Sequence, residues 1–314
     1  MEAITIIIYI SIFLGLFATS FYALSFISDR KKPKQLFTDE ELPSVSVIIP
    51  AYNEEKTIGK TVESILDSDY PKEKLEVIVV DDGSKDETLR LARKFEKQGI
   101  KVFHKENGGK GTALNYGIKR SKSEIIFTMD ADTMVNRASL KNMVRFFKNK
   151  DVMSVSPAIV TYEPKNLWQR IQHMEYLLGL FLRKAFSSIN AIYVTPGAFS
   201  AYRKSFFTKF GYFDEKNITE DLEMALRIQF NHFIIENSPD SPVYTFVPEK
   251  FISLLKQRRR WYVGLIKNIL NYRKMFSKEY GDLGLFVMPI AWISIFFAVF
   301  FTGYFIVKTL LKIK

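Results

Sequence analysis

The sequence contains no cysteine and only three histidines. The absence of cysteine excludes disulfide bonds, thiolate nucleophiles and cysteine-based zinc sites. The histidines, His104, His173 and His232, are far apart in the sequence, so a histidine-cluster metal site is not expected. Acidic residues are the minority charge, with 34 Asp and Glu against 45 Lys and Arg. The net charge of +11 suits a membrane surface, a nucleic acid or an anionic substrate and does not choose among them.

Two segments lack charged residues altogether. Ile4–Ser28 and Leu283–Val307 contain 25 residues each. As helices they would be about 37 Å long, enough to cross a hydrocarbon core of about 30 Å. The alternatives are a cleaved signal peptide for the first and a buried core helix for the second. The first has no basic residue before it and the second has no polar stripe, so we expect both to span a membrane.

The flanking charges predict an orientation. Arg30, Lys31, Lys32 and Lys34 follow the first apolar segment, and no Lys or Arg precedes it. Because basic residues next to a span favour the cytoplasmic side, we expect Asp29–Asp282 to be cytoplasmic.

The segment between the apolar runs alternates strand-like and helix-like patterns. Val45–Pro50, Leu75–Ser84 and Glu124–Asp132 contain the apolar, β-branched runs that are typical of buried strands. Glu54–Asp67 and Asp86–Gln98 place apolar residues at helical spacing. This alternation predicts an α/β fold with a mostly parallel sheet and helices on both faces. Ligands of such sheets bind at the carboxyl ends of the strands.

Polar residues follow each predicted strand: Tyr52, Asn53 and Glu54, then Asp81, Asp82, Gly83 and Ser84, then Asp130 and Asp132. The second group is equally compatible with an ordinary turn into a helix. Asp130 and Asp132 are more informative, because two carboxylates at the end of a buried strand repel each other unless a cation or hydrogen-bond donors compensate. A hard divalent ion, Mg²⁺ or Mn²⁺, shared with substrate phosphates is the natural partner.

A glycine-rich turn at Asn107–Gly117 carries Lys110 and runs into a predicted helix. Such turns suit phosphate, although the spacing is not that of a P-loop. Further on, Thr219, Glu220 and Asp221 precede a predicted helix at Leu222–Phe230. Local sequence favours helix capping by this group. The alternative is that one of the acids is a general base.

The stretch QRRRW, Gln257–Trp261, lies shortly before the second apolar run. On a helix, Gln257, Arg260 and Trp261 share one face, next to an apolar stripe that includes Tyr262 and Ile269. The surrounding basic residues predict a helix that lies in the membrane interface. Lipid accounts for Arg258 and Arg259, whereas the planar fork of Arg260 suits a diphosphate.

Taken together, PAYNEE, VDDGS, GGKGTALN, DAD, TED and QRRRW, in this order from Pro50 to Trp261, resemble the motifs of membrane-bound family-2 glycosyltransferases, the cellulose, chitin, hyaluronan and poly-N-acetylglucosamine synthases and their relatives. The resemblance implies a GT-A fold and six segments: a transmembrane helix (1–28), a basic linker (29–43), the GT-A domain (44–248), an interfacial helix (249–282), a second transmembrane helix (283–307) and a short tail (308–314).

The resemblance also implies roles for individual residues. The residues implied to bind a nucleotide sugar, with UDP as the expected nucleotide, are Ala51, Tyr52, Glu54, Asp81, Asp82, Lys110, Asn115 and Asp130. Among these, Lys110 and Asn115 would meet the diphosphate. Asp130 and Asp132 match the pair that holds Mg²⁺ or Mn²⁺. The catalytic group is Asp221 as the base, together with Glu220, Gln257, Arg260 and Trp261.

The implied reaction is an inverting transfer to a growing β-linked polysaccharide at the cytoplasmic membrane face, with no nucleic acid as partner. Polymer-secreting relatives carry several spans after the Q-x-x-R-W helix, whereas one follows here. Either further copies or a partner complete a channel, or the acceptor is a membrane lipid. The QRRRW stretch argues against the polyprenyl-phosphate mannose synthase type. A non-catalytic alternative is an anchored module that binds anionic lipid or RNA through its basic face.

The orientation predicts protection from protease. In intact right-side-out vesicles, added protease should leave the loop Asp29–Asp282 uncut, because the positive-inside rule places it in the lumen. The measurement is fragment size before and after permeabilisation. Digestion of this region in sealed vesicles would reverse the orientation.

Overall fold

The structure is a computed structural model and describes residues 2–28 and 37–312. Its helices are α1 (Glu2–Ser28), α2 (Ile58–Leu66), α3 (Thr88–Arg93), α4 (Lys110–Arg120), α5 (Ser139–Val144), α6 (Leu167–Ser188), α7 (Lys204–Phe210), α8 (Glu220–Phe230), α9 (Phe251–Asn271) and α10 (Met288–Lys312). Its strands are β1 (Val45–Ala51), β2 (Leu75–Asp81), β3 (Lys101–His104), β4 (Ile125–Met129), β5 (Thr133–Val135), β6 (Val152–Thr161), β7 (Phe199–Arg203) and β8 (Ile234–Thr245).

The strands form one sheet in the order β3-β2-β1-β4-β7-β6-β8-β5. The first four are parallel to one another, as the alternating pattern predicted. Beyond them, β7 runs antiparallel to β4 and β6, β5 runs antiparallel to β8, and β6 and β8 are parallel. The second half of the sheet is therefore mixed. Strand direction depends on how the chain returns to the sheet, which local patterns do not encode.

Each face of the parallel half is covered by helices. Every residue of β1 is buried, and alternate side chains point to opposite faces. Ile48 packs in one core with Leu114 of α4, whereas Ile49 packs in the other with Ile58 of α2. Burial of each such side chain is worth about 1.5–3 kcal/mol, so apolar residues on both faces fix the strand in the middle of the layers.

Two elements end earlier than the patterns predicted. The predicted helix Asp86–Gln98 is α3 followed by a 3₁₀ turn at Lys94–Gln98. The predicted strand Glu124–Asp132 ends at Met129, because the chain turns sharply there and the Thr133 amide donates to the Asp130 carbonyl (3.1 Å). This turn lifts the two aspartates out of the strand and onto the edge of the sheet.

Two helices are long and apolar enough to cross a membrane, over Ile4–Ile27 and Leu283–Leu311. The second begins with a π-helical turn, Leu283–Val287, and continues as α10 through most of the predicted tail. The helices meet where Phe286 contacts Phe17 and Phe21, with ring centroids 6.2 and 5.5 Å apart. The basic residues 30–34, on which the orientation depends, lie outside the described residues.

Helix α6 has no counterpart among the predicted elements. It starts with a capping box in which the Asn166 side chain accepts from the Gln169 amide (3.0 Å). One side of α6 packs against α1, where Phe181 contacts Phe26 and Phe186 contacts Tyr22. Its outer face leaves Leu167, Ile171, Met174 and Leu178 exposed. Contiguous exposed apolar side chains next to a candidate span are typical of a helix at a membrane surface.

The contact between α4 and β1 predicts an asymmetry between two helix glycines. A Cβ on Gly117 would lie 2.4 Å from the Ile48 Cγ2 atom, whereas a Cβ on Gly59 meets nothing within 4 Å. We expect Gly117→Ala to lower the free energy of unfolding by about 1–3 kcal/mol through overpacking. The matched control Gly59→Ala should leave it unchanged or raise it by up to about 1 kcal/mol. Thermal melts in detergent measure both; equal stabilities would contradict the packing.

Candidate active site

The turns after β1 and β2 are tied to each other. Asn53 adopts a positive φ of 56°, its amide donates to the Ser84 hydroxyl (3.0 Å), and its side chain accepts from the Lys85 amide (2.8 Å). The Glu54 amide donates to the Thr88 hydroxyl (2.7 Å). Tyr52 projects from this frame with 45% of its surface exposed. The edge is therefore rigid, with one aromatic ring left open to a ligand.

Asp81, at the end of β2, is fully buried. Its Oδ2 atom contacts the Nδ1 atom of His104 (2.7 Å) and accepts from the Ser84 amide (3.3 Å). Its Oδ1 atom is buried and has no hydrogen-bond partner among the described residues. A buried carboxylate oxygen without a donor costs about 1–3 kcal/mol or more. This atom is therefore suited to accept an N–H group from a ligand.

Asp82 has a different position from the one expected of a ligand-binding residue. Its carboxylate accepts from the Gly108 and Gly109 amides (3.0 and 2.8 Å) and pairs with Lys105 (2.5 Å). Since both oxygens are occupied, Asp82 orders the glycine-rich turn instead of lying open to a nucleoside. Gly109 has a φ of 91°, a left-handed conformation that favours glycine.

Lys110 lies at the first turn of α4 among carboxylates. Its Nζ atom is 2.5 Å from Asp130 Oδ1 and 3.5 Å from Glu220 Oε1, and it donates to the Gly197 carbonyl (3.1 Å). Burial disfavours its charged form, but Asp130, Glu220 and Asp221 outweigh that effect and raise the pKa of Lys110. Lys110 is thus the basic neighbour of Asp130, which the sequence pattern did not reveal.

Asp132 lies on the other side of Asp130. Burial, with the charges of Asp130 and Glu54, raises the pKa of the Asp132 carboxyl to about 7. One lysine therefore faces a larger number of carboxyl groups, and the excess negative charge calls for a cation. Among the described residues, no group of three His, Cys, Asp or Glu side chains could hold a metal ion by itself. The oxygen donors fit a hard divalent ion whose remaining ligands come from a substrate.

Asp221 follows Glu220 at the start of α8. Its Oδ1 atom accepts from the Leu222 amide (2.8 Å), and its Oδ2 atom would lie 2.7 Å from a Cβ on Gly197. Burial and the adjacent Glu220 raise the pKa of Asp221 to about 6. A carboxylate with this pKa accepts a proton more readily than an ordinary aspartate does. Glycine at position 197 lets the acid and Lys110 approach the same backbone segment.

Helix α9 is docked directly on the start of α8. A Cβ on Gly264 would lie 2.2 Å from the Thr219 hydroxyl oxygen, so only glycine permits this approach. The Asn268 side-chain nitrogen Nδ2 donates to the same hydroxyl (3.0 Å), and the Asn217 Nδ2 atom donates to Asn268 Oδ1 (2.8 Å). Thr219 is in the N-cap position of α8 but makes no side-chain capping bond. Its hydroxyl instead joins the acidic turn to the helix that carries QRRRW.

The sequence profile described as "Glycosyl transferase family 2" matches residues 46–211, more than half of the chain and most of the frame described above. The chain belongs to glycosyl transferase family 2. Poly-β-1,6-N-acetyl-D-glucosamine synthases of Staphylococcus aureus are 31% identical over 244 residues, covering 75% of this chain and 57% of theirs. The synthase of Staphylococcus epidermidis is 31% identical over 234 residues. The chain thus spans little more than half the length of these relatives.

Solved structures of glycosyltransferases share the fold. A mannosyltransferase from Pyrobaculum calidifontis, in complex with GDP-Man and Mn²⁺, is 25% identical with a TM-score of 0.67, covering 85% of this chain and 75% of that one. TarS of S. aureus, residues 1–349 in complex with UDP-GlcNAc, is 24% identical with a TM-score of 0.52, covering 66% and 59%. The GT-A fold class predicted from the sequence is confirmed, and the protein is a glycosyltransferase.

The structure brings most of the predicted site residues of this family-2 glycosyltransferase to one edge, but not all as expected. Asn115 is buried; its amide nitrogen donates to the Phe213 carbonyl and to Glu215 (2.9 Å each), and its oxygen accepts from the Phe213 amide (3.0 Å). It therefore ties α4 to a loop and is not free to meet a diphosphate. Ala51 contributes through its backbone, as its carbonyl accepts from the Asp82 amide (2.8 Å).

The assignment of Arg258 to lipid is wrong in this structure. Its side chain is only 17% exposed and pairs with Glu175 of α6. Its guanidinium also lies 4.1 Å from the Trp261 ring centroid and donates to Gln257 (3.0 Å). Spacing placed Arg258 away from Gln257 and Trp261, but a long side chain can fold back along its own helix. Arg258 therefore connects α9 to α6 beside the predicted catalytic tryptophan.

Of the remaining predictions for α9, some agree with the structure and one does not. Arg259 and Arg260 are exposed, and Trp261 keeps 37% of its surface accessible, so Arg260 and Trp261 are free to meet a ligand. Exposed Ile252, Leu255 and Tyr262 agree with an interfacial helix. Ile269, predicted in the lipid-facing stripe, is buried in the core instead, because the last turns of α9 pack against α8.

The contacts of Arg258 predict that its substitution affects turnover more than substitution of Arg259 does. We expect Arg258→Gln to lower turnover about tenfold or more, because loss of the Glu175 pair and the Trp261 contact removes on the order of 1–2 kcal/mol of positioning. The matched control Arg259→Gln should change turnover less than about twofold. The measurement is donor consumption per membrane-embedded molecule. If both variants behave alike, the contact to α6 has no part in positioning Trp261.

Proposed function

We propose that this glycosyltransferase moves a sugar from a UDP-linked donor to a growing β-linked polysaccharide at a membrane face. The observation that carries the proposal is the half-buried Asp221, whose pKa is raised to about 6 and which shares the surroundings of Gly197 with Lys110. The named activity of the staphylococcal relatives supports the polymer product, and the nucleotide-sugar complexes of the structural neighbours support the donor class.

The donor lies along the carboxyl edge. The free Asp81 Oδ1 atom accepts an N–H of the base, and Tyr52 covers the nucleoside. Lys110 from α4 and Arg260 from α9 offset the charge that the diphosphate gains as it leaves. Asp130 and Asp132 would hold Mg²⁺ or Mn²⁺ against the phosphates, and this ion would supply further charge stabilisation.

The transfer is a direct displacement. The acceptor hydroxyl gives its proton to Asp221 while its oxygen bonds to the anomeric carbon, and the bond from that carbon to the diphosphate oxygen breaks. Attack opposite the leaving group inverts the anomeric centre, so an α-linked donor yields a β-linked product. Glu220 keeps the pKa of Asp221 raised, and Trp261 contacts the acceptor sugar from α9.

The base predicts a pH dependence. Asp221 is protonated and inactive below its raised pKa, so kcat/KM should increase as pH rises through about 6. Asp221→Asn should reduce turnover ~10²-fold or more and remove the increase of kcat/KM with pH, while donor binding persists. The measurement is a pH profile of both proteins with donor affinity as control. Near-normal turnover of the variant would show that Thr219, Glu220 and Asp221 have only a structural role.

The carboxylate excess predicts a metal requirement. Chelation by excess EDTA should abolish turnover, and Mn²⁺ or Mg²⁺ should restore it, since the cluster around Asp130 and Asp132 lacks enough cations to bind a diphosphate. A melting curve of the chelated protein controls for unfolding. Equal turnover in EDTA and in Mn²⁺ would show that Lys110 and Arg260 suffice.

The decisive experiment supplies membranes that contain the protein with a panel of radiolabelled UDP-sugars. The products are then partitioned between organic solvent and an insoluble fraction. We expect label in the insoluble, polymeric fraction with one UDP-sugar, and none with the Asp221→Asn protein. No transfer from any UDP-sugar, with transfer from a GDP-sugar instead, would refute the donor assignment.

A second candidate is transfer to a membrane lipid. It is favoured by the apolar face of α6, which packs on α1 and reaches the site through the Glu175 pair with Arg258. Label in the organic phase of the same experiment identifies this activity. The family assignment sets aside the alternative of a non-catalytic binding module.

A further inference from the structure

Helix α6 carries a half-buried arginine, Arg183, that the proposed transfer does not use. The Nε and Nη2 atoms of Arg183 are buried and have no hydrogen-bond partner among the described residues. These atoms lie on the same edge of the planar guanidinium, and their two parallel N–H groups match the spacing of two oxygens on a phosphate or carboxylate. An unpaired buried cation is costly to fold, so a structural role alone does not explain it.

The guanidinium of Arg183 points along α6 toward the N-terminus of the helix. The side chain passes over Gly179, where a Cβ would lie 3.3 Å from Arg183 Nη1, in the N-terminal direction that helix side chains favour. Tyr176, seven residues before Arg183, lies on the same face of the helix. Burial lowers the pKa of Arg183 to about 10, so it stays charged at neutral pH, and Tyr176 lies within range of its charge.

Tyr176 connects this arginine to the catalytic edge. Burial raises the pKa of Tyr176 to about 12, and its hydroxyl also experiences the charges of Arg258, Asp132 and Asp130. Tyr176 is therefore within electrostatic range both of Arg183 and of the aspartates. Lys110 lies beside Asp130 at the start of α4, whereas Arg183 lies on the side where α6 meets α1.

The position of Arg183 relative to the candidate span agrees with the depth at which lipid phosphates lie. Its neighbours Phe181 and Phe186 contact Phe26 and Tyr22, in the last two turns of the candidate span Ile4–Ile27. At ~1.5 Å per residue, Arg183 is level with the end of the apolar segment, where headgroup phosphates lie.

We propose that the Nε/Nη2 edge of Arg183 binds a phosphate group on the acceptor side of the site, beside Tyr176. This inference rests on the second candidate for the proposed glycosyl transfer, a membrane lipid acceptor, and gives that acceptor a chemical class: an amphiphile that carries a phosphate. A neutral sugar chain would leave the arginine unpaired. A phosphate whose two oxygens accept both N–H groups satisfies the buried donors and offsets the charge.

The test measures binding and does not require turnover. The full chain is purified in dodecyl maltoside, and its melting temperature is followed while lysophosphatidic acid is added. The matched probe is a monoacylglycerol of the same chain length, which differs only in lacking the phosphate, and inorganic phosphate is a third probe. We expect lysophosphatidic acid to raise the melting temperature by about 3–6 °C and the monoacylglycerol to leave it unchanged.

Variants assign the effect to Arg183. Arg183→Gln should lose the shift, and Arg183→Lys should keep only part of it because it retains the charge but not the fork. Arg170→Gln, an exposed arginine on the same helix, should respond as the unmodified protein does. Without ligand, Arg183→Gln should melt no lower than the unmodified protein, because the lost donors had no partner; a structural arginine would give a clear loss of stability.

The outcomes separate the sources of phosphate and the two proposals. A rise in melting temperature with lysophosphatidic acid but not with inorganic phosphate supports a lipid-borne phosphate. A rise with both supports a phosphate-binding site that free anions also occupy. An equal shift in Arg183→Gln, or no shift with either phosphate probe, would overturn the proposal. Failure of sugar transfer would leave the melting shifts unaffected, because binding is measured without a donor.

Discussion

The contact of Lys110 with Asp130, Glu220 and the Gly197 carbonyl holds the site together. It joins the start of α4, the turn after β4, the segment before β7 and the start of α8. Without this cation, the carboxylates gathered there would repel one another at close range. Its single charge leaves an excess of negative charge, and burial together with that excess raises the pKa values of Asp132 and Asp221 to about 7 and about 6. The proposed metal site and the proposed base therefore have the same origin in this excess of carboxyl groups.

A second connection runs from this edge to the apolar helices. Thr219 and Gly264 bring α9 against the acidic turn, and the Glu175 pair with Arg258 brings α9 against α6. Helix α6 in turn packs on α1. The position of Trp261 therefore depends on contacts of α9 with both the family-2 domain and the helices next to the candidate spans.

Much of the site was predictable because it consists of short local patterns. The polar residues after β1, β2 and β4 meet at one edge since parallel strands all end there, and Asp81, Asp130 and Lys110 are found there. The partners of Asn115, Asp82 and Arg258 could not be read from the sequence, because hydrogen bonding and side-chain direction are decided by neighbours distant in sequence. Gly197 and Gly264 gave no signal, since a glycine's need for close approach appears only when the opposing side chain is in place.

The sequence by itself determined the apolar helices, the parallel half of the sheet and the identity of the acidic motifs, because hydrophobic periodicity and turn chemistry act over a few residues. Only the tertiary structure decided which charges meet. It put Lys110 beside Asp130, returned β7 antiparallel to β4, and placed α6 between the domain and α1. Burial then removed water from these contacts and strengthened every charge interaction among them, and this is the step that converts a set of motifs into a site.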